Sequence, residues 1–91
     1  MFMFEWDDRK AGSNLRKHGV SFDEAVTVFG DAMALTFADT DHTDSEDRGR
    51  TYGVSNKGRL LVVVHTERSD NVRIISARKA TRYDKGIYEK G

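Results

Sequence analysis

The sequence predicts an α+β domain, a mainly antiparallel sheet with two helices before it and one after, in the order β-α-α-β-β-β-β-α. Three observations carry this. Capping signals open two helical stretches in the first third of the 91 residues. The apolar period then changes from helical to strand-like and reaches the β-branched run Leu60-Leu61-Val62-Val63-Val64. Finally, Thr81 followed three residues later by Asp84 marks a last helix start. Proline is absent, so glycines and Asn/Asp clusters punctuate the chain, and no repeat or linker divides residues 1–91 into more than one domain.

Phe2 to Trp6 is rich enough in aromatic and apolar residues for a first strand. Asp7 or Asp8 caps a helix from Arg9 to His18 that Gly19 stops. Ser21-Phe22-Asp23-Glu24 has the form of a capping box, with Val20 and Ala25 at staple positions and Phe22, Ala25, Val26 and Phe29 in one apolar stripe before Gly30. Leu35 and Phe37 alternate in a short strand, residues 39–47 read as polar loop, and Arg50 to Ser55 leads into a turn at Asn56-Lys57-Gly58. The Leu60–Val64 run reads as the middle of the sheet, covered on both faces. Val72 to Lys79 pairs back on it through a turn near Ser69-Asp70-Asn71. A three-residue loop sets Glu67 opposite Arg73 and a two-residue loop at Asp70-Asn71 sets Arg68 there, so cross-strand charge favours the first and places His65 beside Ile75. In the last helix Ala80, Tyr83 and Ile87 line up at helical spacing, and Gly86 weakens it by about 1 kcal/mol relative to alanine.

A chain this short buries a modest core, and the absence of cysteine excludes disulfides and thiolate metal sites and fits a reducing compartment. No basic flank with an apolar signal-length run opens the chain, and no run approaches membrane-spanning length, so a cytoplasmic protein with no membrane association is expected. The net charge of zero hides a steep asymmetry. Residues 1–30 hold four Lys/Arg and five Asp/Glu, residues 31–47 hold none and six, and residues 48–91 hold eleven and four. A basic half beside an acidic stretch is either a polyanion-binding face or a solvated charged surface.

Cutting RNA without a metal needs a proton acceptor, a proton donor and fixed positive charge on the phosphate. Arg48, Arg59, His65, Arg68, Arg73, Arg78, Lys79, Arg82 and Tyr88 gather such groups in the later half. His65 ends an apolar strand with glutamate two positions on and arginine three on, which suits either acid–base work near neutrality or a structural strand-end hydrogen bond. Lys17 and His18 either hold a phosphate or simply complement the first helix's C-terminal dipole. Arg82, Lys85 and Lys90 either bind phosphate or solvate a helix face, and Phe4 and Trp6 either stack bases or fill the core. The stretch with Asp39, Asp41, His42 and Asp44 lacks the glycine and terminal glutamate of a calcium loop and reads as solvated. No phosphate-cradling glycine loop, nucleophile elbow or Cys–His pair is present, and neither cofactor nor metal is expected.

Several stretches taken together resemble the BrnT family: Asn14-Leu15-Arg16-Lys17-His18-Gly19-Val20-Ser21-Phe22-Asp23-Glu24-Ala25, Glu46-Asp47-Arg48, Gly58 through Arg68, and Arg73 through Ala80 with Tyr88-Glu89. Asp84, Gly49 and Gly86 depart from the usual pattern. The resemblance implies a RelE-like toxin fold, RNA cleavage that arrests translation, and a BrnA-like antitoxin carrying a DNA-binding domain. It further implies a toxin dimer within a two-plus-two complex that touches operator DNA only through the antitoxin. On this reading His65 is acid or base and Arg48, Arg68 and Arg78 bind or stabilise phosphate, while Lys17, His18, Arg59, Arg73, Lys79, Arg82 and Tyr88 hold RNA. The alternative is a non-catalytic relative that binds nucleic acid or protein through the same basic face.

Overall fold

Asp7 opens the first helix, its carboxylate accepting from the amides of Arg9 at 2.8 Å and Lys10 at 3.1 Å. Helix α1 therefore runs Asp8–His18 and ends where Gly19, at φ +70°, donates its N–H to the Leu15 carbonyl. The preceding strand β1 is short, Met3–Glu5, because Trp6 leaves it to pack edge-on against Phe22 at 6.0 Å. The computed structural model describes residues 3–39 and 48–91. Phe2, the Asp41-His42-Asp44 cluster and Glu46-Asp47 lie outside the described residues.

The second helix is half of what its capping box promises. Ser21 Oγ accepts from the Glu24 amide at 3.0 Å, but the Glu24 carboxylate turns inward instead of back to Ser21, and α2 spans only Phe22–Val26 before tightening into a 3-10 turn, Thr27–Gly30. The tightening points Val28, absent from the expected stripe, into the core. Strands β2 (Leu35–Ala38), β3 (Arg48–Val54), β4 (Leu60–Arg68) and β5 (Asn71–Lys79) follow, then α3 (Arg82–Lys90). The sheet order is β1-β5-β4-β3-β2, with β1 parallel to β5 and every other pair antiparallel, and β4 is central as its composition requires.

The β4–β5 register obeys the charge argument only for half its length. Leu61 to Val64 pair with Lys79 to Ser76 as a Glu67–Arg73 register demands, but Ile75 then bulges out and His65 pairs with Ile74, Thr66 with Arg73 and Glu67 with Val72. The hairpin closes through Ser69-Asp70, with Ser69 at φ +56°, one residue tighter than expected. Two effects override the lost Glu67–Arg73 pair. Arg73 finds Glu5 on β1 at 2.9 Å, and the bulge flips the strand's alternation so that Val72, Ile74 and Ala77 all reach one core. His65 and Glu67 therefore share one face while Arg73 lies on the other.

That core joins Val20, Phe22, Ala25 and Val28 to Leu61, Val63, Val72, Ile74 and Ala77, with Phe4, Trp6 and Phe29 packed against it. Phe4 and Trp6 are thus core-packing residues. Helix α3 covers part of the opposite face. Its capping box is complete, Thr81 Oγ1 accepting from the Asp84 amide and Asp84 accepting from the Thr81 amide at 2.8 Å. Tyr83, expected on the apolar stripe, is 77% exposed, and Asp84 takes the buried position because Arg78 meets its carboxylate at 2.6 Å. Gly86 does not interrupt the helix.

Candidate active site

Because side chains alternate across a sheet, the register sorts the basic strands into two faces. On the α3 side Arg48, Thr66 and Arg73 form one cross-strand row, and Arg50 with Val64 and Ser76 the next. On the α1–α2 side Gly49, Thr51 and His65 are neighbours, with Thr36 beside Thr51 on the edge strand β2. At the end of the sheet a cleft of about 450 Å³ is lined by Thr36, Phe37, Ala38, Arg48, Gly49, His65, Glu67 and Ser69. It brings Arg48 and His65 to one place.

His65 is 6% exposed, not an open strand-end group. Its ring lies between Phe29, edge-on at 5.0 Å, and the backbone of Gly49, where a Cβ would fall 2.9 Å from His65 Cε1. Nε2 is 2.7 Å from Thr51 Oγ1, which is 2.7 Å from Thr36 Oγ1. Nδ1 is buried and has no hydrogen-bond partner among the described residues. Burial pushes the imidazole pKa below its ordinary value, and the nearby Glu67 only partly offsets it. The ring is therefore neutral at physiological pH. Since the ring is clamped on both sides, Gly49→Ala is expected to cost about 1–2 kcal/mol in denaturant unfolding and to shift the His65 ring resonances. Unchanged stability and resonances would show that the ring moves aside freely.

Arg68 lies two residues beyond Thr66, the partner of Arg48, and extends the same basic face. Arg50, which the sequence reading passed over, stands between Asp39 at 3.4 Å and the Tyr52 ring at 5.9 Å. Its signal was available, since alternation from Arg48 puts Arg50 on the same side.

A family model described as the ribonuclease toxin BrnT of a type II toxin–antitoxin system matches residues 6–84. The chain belongs to the BrnT family. Among solved structures, the 1.1 Å crystal structure of the Brucella abortus ribonuclease toxin BrnT superposes with a TM-score of 0.69 at 22% identity, covering 90% of this chain and 100% of its own, a likeness of fold. A search of curated proteins finds no significant match. Membership in a BrnT family of type II ribonuclease toxins carries with it an RNA target and an antitoxin partner.

Within this BrnT fold the other expected site residues are dispersed. Arg59 is committed to Glu24, which it meets through two nitrogens, and to the Gly19 carbonyl at 3.1 Å. Arg73 is held by Glu5 and Arg78 by Asp84. The Tyr88 hydroxyl donates to Asp31 at 2.6 Å, tying α3 to the segment before β2. Lys17 and His18 line a separate shallow depression with Asn14, Ile75 and Ser76 at the seam of α1 and β5. Lys79 and Arg82 are exposed where β5 hands over to α3. Among the described residues no three His, Asp or Glu side chains gather as a metal site would require, and no helix is long and apolar enough to cross a membrane.

Proposed function

We propose that this chain is a cytoplasmic, metal-independent endoribonuclease that cleaves RNA and so inhibits translation. The observation that supports it best is the cleft at the sheet end, whose lining includes both Arg48 and the buried His65. A guanidinium offers paired donors to a phosphate and stabilises charge that builds up as the phosphorus becomes crowded, with no metal required. Arg48 is the phosphate-binding group in this reading, Arg68 extends the positive edge, and His65 contributes from the inner wall. Lys17, His18, Lys79 and Arg82 hold the flanking RNA. Arg59, Arg73, Arg78 and Tyr88, expected from sequence to touch phosphate or RNA, serve first to brace the fold.

The same reading includes neutralisation by a BrnA-like antitoxin with a DNA-binding domain, a toxin dimer within a two-plus-two complex, and contact with operator DNA only through the antitoxin. Charge supports the antitoxin contact alone, since acidic groups from a partner would complement the basic half. The test is cleavage of RNA by purified wild type, Arg48→Ala and His65→Ala, each with and without a chelator. Wild type cleaves in chelator, and Arg48→Ala loses about a hundredfold in kcat/KM. His65→Ala also falls sharply while remaining folded. A wild type that binds RNA in a salt-sensitive manner yet never cleaves it supports the non-catalytic module instead, a reading that the enclosure of His65 keeps open.

A further inference from the structure

The three groups Thr36, Thr51 and His65 form a hydrogen-bonded chain that runs from the core to the surface. His65 is 6% exposed and Thr51 1%, whereas Thr36, on the edge strand, is exposed. The links are 2.7 Å each, His65 Nε2 to Thr51 Oγ1 and Thr51 Oγ1 to Thr36 Oγ1. We infer that Thr36 is the ligand-contacting end of this chain, its O–H oriented through Thr51 by the His65 Nε2–H to donate to an anionic oxygen lying in the cleft beside Arg48.

The direction of the chain follows from the enclosed nitrogen. A neutral imidazole has one N–H, and the hydrogen bond to Thr51 accepts either assignment. If Thr51 donated to Nε2, the proton would sit on Nδ1, leaving a buried N–H with no acceptor among the described residues. An orphaned buried N–H is rarer and costlier than an unused acceptor lone pair. The proton therefore belongs on Nε2. Nε2–H then donates to Thr51, Thr51 donates to Thr36, and the Thr36 hydroxyl hydrogen is left for something outside. Successive hydrogen bonds in a low-dielectric setting polarise one another, so this terminal O–H is a better donor than an isolated threonine.

The cleft supplies the ligand chemistry. Thr36, Arg48 and His65 all line it, and a hydroxyl donor and a guanidinium in one cleft suit the oxygens of a phosphate. Among the described residues, Glu67 and Arg48 are the charged groups that line this cleft. The ligand part of this inference rests on the RNA-cleavage reading. It makes Thr51 and His65 positioning residues that act through Thr36, and it explains how a histidine whose nitrogens are enclosed influences the cleft without touching RNA.

Nitrogen NMR of the His65 ring in the free chain reads the tautomer with no RNA present. The expected result is a protonated Nε2 and an unprotonated Nδ1; a proton on Nδ1 overturns the chain's direction and the inference with it. Thr36→Val is then expected to keep that tautomer but lower kcat/KM on a short single-stranded RNA about tenfold or more, with Thr36→Ser restoring it. Thr51→Val is expected to cost as much and to disturb the tautomer as well. A Thr36→Val chain that cleaves like wild type overturns the contact. If wild type cleaves no RNA, titration with inorganic phosphate decides separately: a shift of the Thr36 amide in wild type that Thr36→Val abolishes sustains the anion contact while the cleavage reading fails, and no shift sinks both.

Discussion

Asn14→Asp is expected to destabilise the chain by about 3 kcal/mol or more, although it exchanges one amide nitrogen for an oxygen. Asn14 is 7% exposed, and its side-chain amide does for β5 what a neighbouring strand would do. Among the described residues strand β1 pairs with residues 71–73, and from Ile74 onward the outer edge of β5 needs another partner. Asn14 Nδ2 donates to the Ala77 carbonyl at 2.8 Å and to the Val20 carbonyl at 2.9 Å, and Oδ1 accepts from the Ala77 amide at 3.1 Å. An aspartate keeps the last bond but sets an oxygen against two carbonyls in a place water does not reach, Ala77 being fully buried. Asn14→Ala removes all three bonds and is expected to cost a similar amount. Equilibrium denaturation measures the loss, and hydrogen exchange at the Ala77 amide should accelerate in both variants. Stability within about 0.5 kcal/mol of wild type would mean that α1 does not brace the sheet in this way.

Arg59→Leu is the second large effect, and it separates folding from RNA binding. Glu24 is 3% exposed and accepts from Arg59 and, at 2.7 Å, from Ser55 Oγ, joining α2 to the β3–β4 turn. Removing the guanidinium strands a buried carboxylate, for which about 3 kcal/mol is the expected loss. Replacing both partners, Glu24→Met with Arg59→Leu, should recover part of it, since no charge is then left unpaired. The pH dependence follows from the direction of the shift. Arg59 chiefly, with Ser55, holds the Glu24 pKa below its ordinary value against the opposing effect of burial. A depressed carboxyl stabilises the fold above its unfolded pKa, about 4.3 for glutamate, and loses that contribution as pH falls through the folded value. The gap between wild type and Arg59→Leu should therefore be widest near neutrality and narrow below about pH 4. Glu5, Asp31 and Asp84 are held down in the same sense and steepen acid unfolding of both proteins. An Arg59→Leu chain that keeps its stability but loses RNA affinity would return Arg59 to the RNA-binding surface.

Local chemistry was legible residue by residue. Asp7, Gly19, Ser21 and Thr81 mark helix ends because caps act within one turn of the chain. The Leu60–Val64 run announces a central strand because few other environments tolerate so many β-branched residues together. The basic later half is plain from counting. The β4–β5 register was not legible past Val64, because the bulge at Ile75 is favoured by a core reached from α1, α2 and β1 together, and Arg73 had a partner 68 residues away in Glu5. Asn14 likewise carried no local sign of its task, since Ala77, which takes two of its three hydrogen bonds, lies 63 residues away.

From composition and pattern alone follow the element order, the caps, the central strand, the charge asymmetry and the stretches that resemble BrnT. Each depends on neighbours within a few positions or on residue type. Which arginines are taken up by carboxylates of the fold, and whether His65 faces solvent or the core, depended on how distant segments pack. An ion pair or a buried ring is decided by whichever groups meet in space, and desolvation sets its charge state only once the surrounding chain has closed over it.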